Sequence, residues 1–218
     1  MRRHASKRPA AVGKRNARWL ALSLAGLLAL ATATGCAQIR RAMYEPGDRD
    51  AWQQPARVVS TMALAPGTRV ADIGSGGGYF AFRFAEAVGP SGQVYAVDVA
   101  ADMNELVLTD ARRAGLMNVA TVEAADDDPR LPEPVDWVFT SNTYHHLGDR
   151  TAYFERVKER YLRPGGRVAV IDYRPDAAPG HATDRDTIVR EMEAAGFTLT
   201  GDHDWLERQW FGVFTPAP

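Results

Sequence analysis

From residue 55 onward the apolar positions alternate between two periods, which predicts helices and strands in turn. Pro55 suits the first turn of a helix, here over residues 55–64. Residues 69–73 form a short apolar run that reads as a strand. In GGYFAFRFAEAV, residues 77–88, Phe80, Phe84 and Val88 recur along one helical face. The pattern continues as a strand over 93–97, a helix over 101–114, and strands over 119–122 and 135–140. A helix over 149–161 leads to the turn Pro164-Gly165-Gly166, then a strand over 167–172. The last helix, 186–195, stops at Gly196, a residue suited to the position after a helix end.

Most of these strands are continuously apolar and separated by helices, as in a parallel sheet covered on both faces. The last two, 197–201 and 209–214, have no helix between them and are expected to pair as an antiparallel hairpin. The fold class expected is therefore α/β, a doubly wound and mostly parallel sheet ending in that hairpin. There is no internal repeat, and one domain over 52–218 accounts for the pattern. Residues 37–51, polar and containing Pro46-Gly47, read as a tether ahead of it.

Charge and composition change the picture mainly at the N-terminus. The chain has 218 residues and a net charge of −1. Seven of its basic residues and none of its acids fall in residues 1–35, which leaves 19 basic against 27 acidic residues in the remainder. A body at −8 offers no electrostatic footprint for a phosphate backbone, so nucleic acid is not the expected partner. The apolar run WLALSLAGLLALATA, residues 19–33, follows that basic segment, and Thr34, Gly35 and Cys36 come next. Basic segment, short apolar run and small residues make a secretory signal over 1–35. The cysteine after small residues resembles the lipobox of bacterial lipoproteins, in which the cysteine is lipidated. That resemblance implies a membrane anchor at Cys36, a lipidated tether over 36–51 and a domain facing the periplasm. Ala37, where Asp would mark retention at the inner membrane, favours the outer membrane. An uncleaved signal anchor and a cytosolic protein with a misassigned start are the competing readings. A single cysteine excludes a disulfide framework, and no Cys/His spacing suggests zinc.

The chemistry concentrates where the first strand gives way to a helix, in Asp72-Ile73-Gly74-Ser75-Gly76-Gly77-Gly78. A dinucleotide fingerprint needs a third glycine where this chain has Tyr79. Asp72 beside the loop would also repel a pyrophosphate but suits a cationic or amino-bearing ligand. A nicotinamide oxidoreductase is disfavoured on both counts. Asp98 closes the next strand, 24 residues after Gly74, where an acid can accept from the hydroxyls of a ribose.

VADIGSGGGYFAFRFAEAVGPSGQVYAVDV resembles motif I and the following strand of class I S-adenosylmethionine-dependent methyltransferases. LRPGGRVAVIDY and EAAGF resemble that family's fifth-strand turn and its end, so the resemblance covers about residues 49–214. It implies S-adenosyl-L-methionine as cofactor and an α/β methyltransferase fold. Asp72, Gly74, Ser75, Gly76 and Gly78 would hold the methionine end, Asp98 the ribose, and Val99 and Met103 the flanks of the adenine. Asp126 or Asp127 would stand in for the family's adenine-reading acid, the alternative being a solvated acidic loop. Asn142 is assigned to the cofactor side as well.

Methyl transfer from a sulfonium is an in-line displacement that needs alignment, exclusion of water and, for some acceptors, a base. Tyr144, His145 and His146 follow the fourth strand at the edge where that methyl group would lie, and are the catalytic candidates. Adjacent residues point differently, so the two histidines are not expected to enter one pocket. One of them capping or packing beneath the next segment is the blander reading. His181, in a Pro/Gly-rich loop, and Tyr173 are candidates for binding the acceptor, with Asp172 at the end of the fifth strand bordering the pocket, while Trp52 and Gln53 either close over the cofactor or anchor the core. The sole cysteine argues against arsenite methylation, which needs several thiols. The expected function is methyl transfer to a small molecule or a protein, the small molecule being favoured. The alternative is a non-catalytic lipoprotein that binds S-adenosyl compounds, because the cofactor is made in the cytosol.

Overall fold

The computed structural model describes residues 47–218. The signal, the lipidation position Cys36 and most of the tether lie outside the described residues. Two short helices, α1 (Arg49–Gln53) and α2 (Pro55–Met62), precede β1 (Arg69–Ile73). Then follow α3 (Tyr79–Val88), β2 (Gln93–Asp98), α4 (Ala101–Arg113), β3 (Val119–Glu123) and β4 (Val135–Ser141). A 3-10 turn at Tyr144–His146 leads to α5 (Arg150–Arg156), β5 (Leu162–Tyr173), α6 (Arg185–Ala194), β6 (Phe197–His203) and β7 (Gln209–Pro216).

The seven strands form one sheet in the order β3-β2-β1-β4-β5-β7-β6. All neighbours are parallel except β7, which runs antiparallel to both β5 and β6. The expected closing hairpin is present, with its second strand inserted inward against β5. Alternate residues of each strand feed two cores on opposite faces, as a doubly covered sheet requires. Trp137 and Phe139 of β4 join one, with Phe80 and Phe84 of α3. Val135 and Val138 join the other, with Phe154, Ile188 and Met192. The Phe80, Phe84 and Phe139 rings meet at 4.7–5.7 Å. Burial of each ring stabilises by roughly 1.5–3 kcal/mol.

Three boundaries differ from the sequence expectation. The tether does not extend to residue 51, because Arg49–Gln53 is helical and fastened to α3. Asp50 accepts hydrogen bonds from the Tyr79 hydroxyl and from Arg83. The helix expected over 149–161 is α-helical only to Arg156 and widens into a π-turn over Val157–Tyr161. The Pro164–Gly166 turn is absorbed into β5 opposite a register shift between Val135 and Trp137. Among the described residues, no helix is long and apolar enough to cross a membrane.

Candidate functional site

Strand order reverses between β1 and β4, and in such sheets ligands bind beyond the carboxyl ends of the strands at that point. A cavity of about 1140 Å³ opens there. That exceeds the roughly 300–1,000 Å³ usual for one drug-sized ligand. It is lined from the loops after β1, β2, β3, β4 and β5, and from Arg49 of α1.

One end is made by backbone. The Gly74 and Ser75 N–H groups donate to Val97 O at 2.8 and 3.0 Å, which folds the glycine loop onto the end of β2. Asp98 then clamps it: one carboxylate oxygen accepts from Gly76 N–H at 3.0 Å, the other from Ala100 N–H at 2.9 Å at the start of α4. Gly74 has φ +72°, and a Cβ there would lie 2.0 Å from the Thr143 hydroxyl, so only glycine lets β1 and the turn after β4 approach this closely. The Ser75 hydroxyl is buried without a hydrogen-bond partner. Val99, 59% exposed, and buried Met103 form an apolar wall, and Ala124–Asp127 the wall facing it.

Of the two candidate acids at that wall, Asp127 forms an ion pair with Arg156 at 3.3 Å, whereas Asp126 lines the cavity and engages no partner among the described residues. Asn142 also lines the cavity, with its backbone at φ 57° and its side-chain oxygen accepting from the buried Gln209 amide.

The other end is made by side chains. His145 and His146 both line the cavity, with ring centroids 4.1 Å apart, and His181 comes within 6.2 Å of the His145 ring. The expectation that the two neighbours would not share a pocket, because adjacent residues point differently, is corrected by the structure. In a 3-10 turn successive side chains are about 120° apart, so both rings reach the cavity edge. His145 Nδ1 lies 2.8 Å from Asp172 Oδ1, and Thr183 N–H donates to the other Asp172 oxygen at 3.1 Å. Burial raises the Asp172 pKa, while His145 and the Thr183 and Tyr173 N–H groups oppose the rise. Burial lowers the pKa of His146, and His145 and His181 add to that. Tyr173 faces the same end with its ring stacked on Trp52. Among the described residues, no group of three or more His, Cys, Asp or Glu is placed to hold a metal ion.

Three candidates lie off the cavity. Tyr144 is fully buried against Phe154, and its hydroxyl donates to Glu191 at 2.9 Å, where Arg150 also binds. It belongs to the core, because the turn that brings both histidines outward sends Tyr144 inward. Gly78, at φ +85°, shapes the exit of the loop into α3. Asp72 sits beneath the loop, 3% exposed, with its pKa pushed up to about 7 by burial against the opposing pull of Arg49 and of Ala81 N–H. Trp52 and Gln53 are anchors: Trp52 is buried, and Gln53 donates to the Ser141 hydroxyl at 2.8 Å.

Two groups at the cavity were not singled out from sequence. Arg49 was assigned to the tether, yet its guanidinium lies 3.7 Å over the Tyr79 ring and it lines the cavity beside the glycine loop. Asp172 was noted only as a pocket border. Its hydrogen bond to His145 spans 27 residues and no local spacing signals it.

Residues 64–210 match the family model described as a methyltransferase domain. The chain is 27% identical to a protein-L-isoaspartate O-methyltransferase of Aeropyrum pernix, across 71% of this chain and 61% of that protein. It is 33% identical to a ubiquinone/menaquinone biosynthesis C-methyltransferase of Ectopseudomonas mendocina, across 67% of this chain and 58% of that protein. The chain thus spans less than two thirds of the length of these curated relatives. The crystal structure of a SAM-dependent methyltransferase from Aquifex aeolicus superposes with a TM-score of 0.74 at 23% identity, covering 80% of this chain and 96% of that one.

Proposed function

The chain belongs to the methyltransferase domain family, and from this premise we propose that it transfers a methyl group from S-adenosyl-L-methionine to a small-molecule acceptor. The acceptor would sit against His145, His146, His181 and Tyr173. The reading is carried by one observation: a single cavity joins nucleoside-type groups at one end to a histidine cluster at the other.

The donors and acceptors at the first end fit the cofactor. The Ser75 hydroxyl is an orphaned polar group in the glycine loop, and the loop is too close to Thr143 to carry a side chain at Gly74. Asp98 spends one hydrogen bond per carboxylate oxygen on the backbone and keeps lone pairs for ribose hydroxyls. Val99 and Met103 would flank the adenine and Asp126 would accept from its amino group, while Asp127 is held by Arg156. Arg49 supplies a cation for the amino-acid carboxylate. When bound, S-adenosylmethionine supplies an electrophilic methyl group on a sulfonium. The chain's task is to align an acceptor with it and to exclude water.

Calorimetric titration with S-adenosylmethionine and S-adenosylhomocysteine tests the reading. Micromolar binding is expected, and absence of binding by a folded chain overturns it. Binding without methyl transfer to any acceptor would favour the non-catalytic alternative.

We also propose export and lipid anchoring at Cys36, on the strength of the basic and apolar segments before it. Cys36→Ser is expected to move the protein from the membrane to the soluble fraction. A variant that stays with the membrane points to an uncleaved signal anchor.

A further inference from the structure

The contact between His145 and Asp172 specifies more than a shared edge of the cavity. A carboxylate only accepts hydrogen bonds, so the 2.8 Å contact places an imidazole proton on Nδ1, and in the neutral ring the lone pair then lies on Nε2. Among the described residues nothing hydrogen-bonds Nε2, and the His145 side chain, 9% exposed, lines the cavity. Asp172 is itself fixed. It is fully buried at the end of β5, paired across the sheet with Trp210, and held by Thr183 N–H. The ring is therefore oriented from behind, with its basic nitrogen left to whatever occupies the acceptor end.

Such an arrangement has no use for an acceptor that arrives already ionised. A carboxylate is deprotonated at neutral pH and a thiol is within about two pKa units of it, whereas a phenol keeps its proton to about pH 10. Leu147, next to His146, and the ring of Tyr173, next to Asp172, line the same cavity and suit a flat aromatic body.

We propose that His145 is the general base of the transfer, that Asp172 is its positioning residue, and that the acceptor is an aromatic hydroxyl compound. This rests on the methyltransferase reading above and names its acceptor class. In the step, the acceptor oxygen forms the new O–CH3 bond, and the electron pair of the broken C–S bond stays on sulfur as a neutral thioether. The hydroxyl proton goes to His145 Nε2, and the imidazolium, stabilised by Asp172, passes it to solvent.

Two measurements on the full chain test this. The first needs no acceptor: long-range 1H–15N NMR of the His145 ring at pH 8. The expected signature is a protonated Nδ1 and an unprotonated Nε2, with Asp172→Asn moving the population toward the Nε2–H form. A wild-type ring protonated on Nε2 overturns the dyad, and that result does not depend on whether the buried variant folds.

The second offers labelled S-adenosylmethionine with 4-methylcatechol, 4-methylthiophenol or 4-methylbenzoate, whose hydroxyl probe keeps its proton at neutral pH. Transfer to the hydroxyl probe is expected, reduced roughly 10²–10⁴-fold in His145→Ala with S-adenosylhomocysteine binding retained. Methylation of the thiol or carboxylate probe alone, or of none of the three, overturns the acceptor assignment. Failure of the wild type to bind S-adenosylhomocysteine instead overturns the underlying methyltransferase reading.

Discussion

The two ends of the cavity are built by different means. At the glycine loop the groups presented are mostly backbone, and most of the side chains that matter lie between Gly74 and Met103, with Arg49 and Asp126 joining from outside that stretch. At the histidine end the working groups are side chains, assembled by contacts between segments far apart in the chain. Asp172 fixes His145, Gln209 fixes Asn142 and Gln53 fixes Ser141. A backbone-built site follows from the turn a local sequence must make. A site built from side chains depends on sheet order, and so is free to vary while the fold stays the same.

The sharpest way to break this contrast is through Asp72, which belongs to the loop by sequence but lies beneath it. Its carboxyl is held neutral in the folded protein up to about pH 7, mainly by burial. In the unfolded chain it ionises near pH 3.9. Between those values the folded state binds the extra proton, so stability from this group is fully present at low pH and is lost as pH rises toward 7. The slope is about 1.4 kcal/mol per pH unit, and the loss across the window reaches about 4 kcal/mol at most. Asp72→Asn should lack that slope, so the variant's advantage over wild type in denaturant unfolding grows as pH rises through the window and leaves the variant more stable at pH 8. An unchanged slope would place Asp72 in contact with solvent or ligand, and the loop end would no longer be a purely backbone construction.

Asp98 is the next step down. Asp98→Ala should weaken S-adenosylmethionine binding by about 1.5–3 kcal/mol, because ribose hydroxyls lose their acceptor and Gly76 N–H is left without one. Calorimetry would read this as roughly 10- to 150-fold in Kd. Affinity within twofold of wild type would remove the ribose role and leave Asp98 as a loop clamp only.

The same contrast decides what the sequence could disclose. Strand and helix order, the parallel sheet and its antiparallel close all follow from local periodicity, and the structure has them. The glycine loop with Asp98 was legible because its signal is contiguous and its turn is demanded by Gly74 and Gly76, both at positive φ. Arg49 was not legible: RDAWQ is polar and short, and it becomes helix only because Asp50 meets Tyr79 and Arg83 of α3. Nor was Asp172, since an acid at a strand end reads the same whether it faces solvent or a histidine 27 residues earlier. Tyr144 was misread for the complementary reason. Three chemically promising residues in a row look alike in sequence, and the hand of a 3-10 turn assigns one to the core and two to the cavity.

That assignment gives the smallest expected effect and a clean discrimination. The Tyr144 hydroxyl donates to Glu191, which Arg150 also binds through two N–H groups at 2.7 Å. Burial and the Glu191 carboxylate both push the phenol pKa upward, so the group stays neutral and cannot serve as a base at physiological pH. Tyr144→Phe keeps the ring stacked on Phe154 and leaves Glu191 satisfied by Arg150, at a cost of about 1 kcal/mol for one hydrogen bond. Thermal unfolding should register that small loss, while the rate of methyl transfer stays within twofold of wild type. A tenfold fall in rate with unchanged stability would return the hydroxyl to the cavity and make the acceptor end a three-residue site. Loss of stability alone keeps Tyr144 in the core and leaves His145 and His146, with Asp172 behind them, as the residues the turn sends outward.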